Sequence, residues 1–85
     1  MPITVSQITV NRYLTLSGVL QVASDGSRGT GRRFTNYRVH IVKILDRNVP
    51  YPILLGDDHT DSLGWVSYDD LTGVTKVRVT SVTLA

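Results

Sequence analysis

Apolar residues recur at every second position early in the chain. Ile8, Val10, Leu14, Leu16, Leu20 and Val22 share one parity, interrupted by Arg12 and Gly18. A period of two puts such side chains on one face of a strand, whereas a helix needs apolar positions three and four apart. Residues 8–22 are therefore expected to form a long, half-buried strand, with a bend, bulge or turn at Asn11 with Arg12 and at Ser17 with Gly18. Residues 23–31, ASDGSRGTG, contain three glycines and only Ala23 as an apolar anchor, which predicts a loop. In residues 32–45, RRFTNYRVHIVKIL, Tyr37, Val39, Ile41 and Leu45 fall on one face and Arg38, His40, Val42 and Ile44 on the other. Such a strand is wet on both faces at its start and buried on both at its end.

Asp46, Arg47 and Asn48 predict a turn, and Pro50 and Pro52 bracket Tyr51. Proline cannot donate to a ladder, so residues 49–52 are expected at an edge or in an extended connector. Ile53, Leu54 and Leu55 predict a short strand ending at Gly56, and DDHTD (57–61) a polar hairpin tip. Residues 62–71, SLGWVSYDDL, hold the only tryptophan and predict the strand around which the others wrap. Thr72 and Gly73 turn the chain into a final strand over residues 74–84, where the apolar parity changes between Val79 and Val82, as at a bulge. Five or six short antiparallel strands with no convincing helix predict an all-β protein, a small barrel or sandwich forming one domain over residues 1–85.

Composition supports this reading. All seven acids are aspartate and seven of the nine bases are arginine, so the helix-favouring glutamate and lysine are scarce beside abundant valine, threonine and isoleucine. A chain of this length buries only about 60–65% of its unfolded surface, which leaves a small core. The absence of cysteine excludes disulfides and thiolate chemistry. A net charge of +2 gives a weak overall field, so the placement of charge matters more than its sum. MPITVSQ has no basic segment followed by an apolar run, and no stretch approaches the roughly 20 apolar residues that span a bilayer. A soluble protein with no signal peptide and no membrane partner is expected.

Catalytic and metal chemistry find little purchase. Gly26 to Gly31 has the G-x-x-x-x-G spacing of a phosphate loop, but Arg32 and Arg33 stand where lysine and serine or threonine are needed, and a strand follows instead of a helix. Asp57, His59 and Asp61 alternate as ion ligands would, yet Ser62 and Tyr68 occupy the glycine and glutamate positions of a calcium loop. Asp69 and Asp70 are adjacent, so on a strand they point to opposite faces and cannot flank one scissile bond. His40, inside an apolar strand, reads as a half-buried structural residue, and no serine has elbow glycines around it. The expectation is a non-enzyme with no metal and no cofactor.

Arg28, Arg32 and Arg33, followed by Phe34, Tyr37 and Arg38, mix guanidinium groups with aromatic faces in a pattern that can clamp phosphates and stack bases. The plainer alternative has these arginines solubilising a glycine-rich loop while Phe34 and Tyr37 pack inward. Asp57, Asp58, Asp61, Asp69 and Asp70 form an acidic counterpart suited to head-to-tail self-association.

Over residues 37–71 the order is a VHIVKI strand, PYPILLG, a polar tip, LGWV and a closing DDL. This order resembles the bacterial Src-homology-3-like domains attached to phage lysins and cell-wall hydrolases, most specifically at Pro52, Gly56, Gly64, Trp65 and Val66. The resemblance implies a Src-homology-3-like barrel and a non-catalytic module that recognises a cell-wall peptide or glycan in a phage or bacterial lysis context. The contact candidates are Tyr51, Trp65 and Tyr68, with Trp65 as a core residue the competing reading. The basic candidates are Arg28, Arg32 and Arg33. Two further readings stand beside it. One is a phage or viral structural protein that oligomerises through edge strands, supported by the methionine start, the long N-terminal strand and the apolar C-terminal strand. The other is a single-stranded nucleic-acid-binding small barrel, which these readings place last. The expected partners are accordingly a cell-wall peptide or glycan, another protein chain or a homo-oligomer, and less readily nucleic acid, in a virion or in a bacterial cytoplasm before release.

Overall fold

Leu14, Leu16 and Leu20 are fully buried, and the strand that carries them, β1 (Tyr13–Val22), is the element the others assemble on. The computed structural model describes residues 3–23 and 29–85. After β1 come β2 (Thr30–Ile44), β3 (Ile53–Gly56), β4 (Gly64–Val66), a short helix α1 (Tyr68–Thr72) and β5 (Val79–Leu84). Every ladder is antiparallel. β1 and β2 form one long hairpin, β3 and β4 a short one, and the β2–β3 and β4–β1 pairings close these four strands into a small barrel. Among the described residues β5 pairs with β1 alone. The all-β small barrel expected from the period-two pattern is what the chain forms.

The N-terminal segment departs from expectation. Instead of a strand from residue 8, Val5–Gln7 form one 3-10 turn, and β1 starts only at Tyr13. Asn11 has φ 71, a left-handed conformation that asparagine tolerates better than most residues, and this breaks the alternation. The segment is tied to the barrel: the Asn11 N–H donates to the Ile41 carbonyl at 2.7 Å, and Ile3 and Ile8 are buried in the core. It therefore packs on its own barrel instead of presenting a free strand.

The irregularities expected at Ser17 with Gly18 and between Val79 and Val82 are present, and a further one, at Val42 between the pairs Ile41–Leu55 and Lys43–Leu54, was not expected. Thr35 and Asn36 of β2 together oppose Ser17, and Thr80 is the extra residue of β5 between the pairs Ser17–Ser81 and Gly18–Val79. Two irregularities flank the same point of β1, and Gly18 meets them with φ 141. A Cβ there would lie 2.4 Å from the Arg78 carbonyl oxygen, so only glycine fits this crossing.

Two other expectations need correction. The barrel interior is aliphatic, built from Leu14, Leu16, Leu20, Ile41, Ile53 and Leu55 among others, and the indole is outside it. Gly64 and Val66 face the interior, so the two-residue period sends Trp65 to the opposite side. There it pairs with Leu54 and forms a second cluster with Tyr51. The strand expected over residues 62–71 is only three residues long, because Ser67 starts a helix. The Ser67 hydroxyl accepts from the Asp70 N–H at 3.1 Å, and the Asp70 carboxylate accepts from the Ser67 N–H at 3.0 Å. Gly73, at φ 81, ends that helix in a left-handed cap. The final strand accordingly begins at Val79 and not at residue 74. Among the described residues no helix is long and apolar enough to cross a membrane.

Candidate nucleic-acid interface

The first residues of β2, Thr30 to Arg33, are all exposed, although their partners on β1 include the buried Leu20. Arg32 lies opposite Leu20 and Arg33 opposite Val19, so neighbouring arginines present their charge on both faces of the hairpin. The Arg32 guanidinium lies 5.3 Å from the centre of the Phe34 ring, and the Phe34 and Tyr37 rings are 5.2 Å apart. Phe34 and Tyr37 also pack against the core, which fixes their position while leaving part of each ring accessible.

A second group lies further along the hairpin. The register sets Tyr13 opposite His40 and Thr15 opposite Arg38. Tyr13 is 40% exposed, and its ring lies 5.2 Å from the His40 ring and carries the Arg38 guanidinium 4.9 Å from its centre. Tyr13, Tyr37, Arg38 and His40 line one cleft of about 230 Å³ together with Asp57, Asp58 and His59 of the β3–β4 tip. The two groups thus form a continuous arrangement, from Arg32 through Phe34 and Tyr37 to the cleft.

The acidic tip is held in place by its own hydrogen bonds. Tyr37 donates its hydroxyl to Asp57 Oδ2, and Asp57 Oδ1 accepts from the backbone N–H groups of His59 at 2.8 Å and Thr60 at 2.9 Å. The Tyr37 hydrogen bond, followed by the His59 N–H, holds the Asp57 carboxyl below its ordinary range. The same bond, with partial burial after it, pushes the Tyr37 phenol up.

The other aromatic candidates are placed differently. Trp65 is 5% exposed, and its indole N–H donates to the Ala23 carbonyl at 2.6 Å. Tyr51 is 6% exposed and packs in the same cluster, with the Arg78 guanidinium 5.2 Å from its ring centre. Tyr68 is half-buried against the barrel core, with the Arg47 guanidinium 3.9 Å from its ring centre. The structure brings Tyr51 and Trp65 together and sets Tyr68 against a different cluster. Arg32 and Arg33 are exposed as a contact role requires, and Arg28 lies outside the described residues.

The sequence reading missed Tyr13; His40, expected to be half-buried, is half-buried, and its ring lies beside that of Tyr13. Tyr13 has the odd, outward parity of β1 and follows Arg12, but its neighbours are set by the register of a hairpin with a bulge in it, which no local pattern supplies. Comparison with known proteins finds no family model, no curated protein and no solved structure that matches the chain.

Proposed function

We propose that this barrel binds single-stranded nucleic acid along the β1–β2 hairpin, without catalysis. The observation that supports this best is the pairing of exposed guanidinium groups with partly exposed rings, Arg32 with Phe34 and Arg38 with Tyr13. Phosphates have Arg32, Arg33 and Arg38 to contact, and unstacked bases have the faces of Tyr13, Phe34 and Tyr37. A base on an aromatic ring contributes about 1–3 kcal/mol whatever its identity, so broad sequence tolerance is expected. Duplex DNA hides its base faces and should bind less well. Fluorescence anisotropy with a labelled mixed-sequence oligodeoxynucleotide tests this. Three phosphate contacts at about 0.7 each give a slope of log K against log salt near −2. Failure to bind at low ionic strength would remove the reading.

A second reading, self-association through a sheet edge, is favoured by β5. Among the described residues this strand pairs only with β1, and Val77 and Leu84 beside and within it are 80% and 45% exposed. Light scattering that gives a monomer at high concentration would count against it. The cell-wall reading draws support from the β3–β4 hairpin, whose strand, polar tip and strand follow the order seen in Src-homology-3-like modules. Its aromatic contacts are mostly buried, which is why nucleic acid is ranked above it. Retention on purified peptidoglycan, undiminished by Arg32→Ala and Arg38→Ala, would reverse that ranking.

A further inference from the structure

The cleft beside Tyr13 holds a donor and an acceptor that base stacking leaves unused. Arg38, on β2, and Asp58, on the β3–β4 tip, line this one space of about 230 Å³, and both are exposed. The Arg38 guanidinium lies over the Tyr13 ring, 4.9 Å from its centre, and a guanidinium held by its face keeps its N–H edge for other acceptors. The neighbouring Asp57 is already engaged: its two oxygens accept from the Tyr37 hydroxyl and from the His59 and Thr60 N–H groups. Among the described residues no hydrogen bond or ion pair engages the Asp58 carboxylate. The Tyr37 phenol, pushed up first by its bond to Asp57, also feels the charge of Asp58, so that carboxylate lies close by.

We propose that this cleft reads guanine, with Asp58 accepting from the base and Arg38 donating to it. The inference rests on the nucleic-acid reading above and adds to it one position at which base identity counts. What a strand can donate to a carboxylate decides the choice. Guanine carries N1–H and N2–H side by side, which suits the two oxygens of one carboxylate. In adenine and cytosine the amino group stands beside a ring-nitrogen acceptor, and in thymine and uracil the single N–H lies between two carbonyls. Each of those bases turns a lone pair toward the second carboxylate oxygen. On its other edge guanine offers O6 and N7, the acceptors that an arginine fork fits. A guanine from DNA and one from RNA present the same edges to Asp58 and Arg38.

The test compares a labelled oligothymidylate with the same strand carrying one guanine, by fluorescence anisotropy on the full chain. The guanine strand is expected to bind about tenfold tighter, the size of one good bidentate base contact. Hypoxanthine in place of guanine lacks the N2 amino group and should remove most of that gain. Asp58 is exposed, so Asp58→Asn should keep the fold, and it separates two effects of the carboxylate. The guanine preference should be lost, while the all-thymine strand should bind tighter because a charge that repels phosphates is gone. The ribonucleotide version of the guanine strand decides the source: tighter binding assigns the site to RNA, weaker binding to DNA, and equal binding to either. Equal affinity for the thymine and guanine strands, or a guanine preference that survives intact in Asp58→Asn, would overturn the proposal and leave binding along the hairpin standing. No binding of either strand at low ionic strength would remove both.

Discussion

The Arg38 guanidinium lies 4.9 Å from the centre of the Tyr13 ring, a contact that runs diagonally across the β1–β2 hairpin. Tyr13 is paired with His40 and Arg38 with Thr15, so the two side chains meet only because the strands hold this register. The pair places a ring face and a cation side by side at the surface, the two features that a single strand of nucleic acid needs from its partner.

Replacing Tyr13 by alanine should therefore weaken oligonucleotide binding by about 1–3 kcal/mol while leaving the salt dependence nearly unchanged. Replacing Arg38 by alanine should weaken binding and also lower the salt slope by about one phosphate contact. Anisotropy titrations of both variants at several salt concentrations separate the stacking role from the charge role. Equal salt slopes in wild type and Arg38→Ala would mean that Arg38 contacts no phosphate.

Trp65 should matter for stability and not for this binding. Trp65→Phe removes the hydrogen bond to the Ala23 carbonyl and part of a buried ring, at a cost of about 1–3 kcal/mol in urea unfolding. Its oligonucleotide affinity should match wild type. The native indole should emit as a shielded one and resist quenching by iodide. Loss of affinity in a folded Trp65→Phe protein would place the ligand on the other side of the molecule.

Gly18 should tolerate no side chain. Gly18→Ala forces a Cβ against the Arg78 carbonyl at a φ that suits glycine alone, so destabilisation of at least about 2 kcal/mol is expected. Thermal or urea unfolding measures it. A neutral result would mean that the double bulge around Ser17 is not held in this form.

The Tyr37–Asp57 bond should show at both ends of the pH scale. Asp57 titrates below its ordinary 3.8 in the folded protein, so its contribution is present above that value and is lost as pH falls through the lowered pKa. Tyr37 titrates above its ordinary 10.0, so its contribution is present below that value and is lost as pH rises through the raised one. Tyr37→Phe should flatten both limbs of the stability profile. A profile that superimposes on wild type in both limbs would show that the bond does not couple folding to pH.

Much of this architecture is legible in the residues because it rests on local rules. Alternation pointed to β1 and β2, the short apolar run Ile53–Leu55 to β3, and the parity change between Val79 and Val82 to the bulge in β5. The helix at Tyr68–Thr72 was missed because alternation was carried past Ser67, although Ser67, Asp70 and Gly73 spell a capping pattern with aspartate in the usual glutamate position. Trp65 was set at the centre on its size, but its partner Leu54 shows that the inner positions of the β3–β4 hairpin belong to smaller residues. Arg32, Arg33, Phe34 and Tyr37 could be picked out because they are close in sequence. Tyr13 could not, because its neighbours come from strand pairing.

Binding along the β1–β2 hairpin is tested most directly by an NMR titration of the labelled protein with a single-stranded oligonucleotide, mapped onto the fold. The largest shifts should fall on Tyr13, Arg32, Phe34, Tyr37 and Arg38 and fade as salt is added. Shifts confined to the surface around Tyr51, Trp65 and Tyr68, or no shifts at low ionic strength, would contradict it.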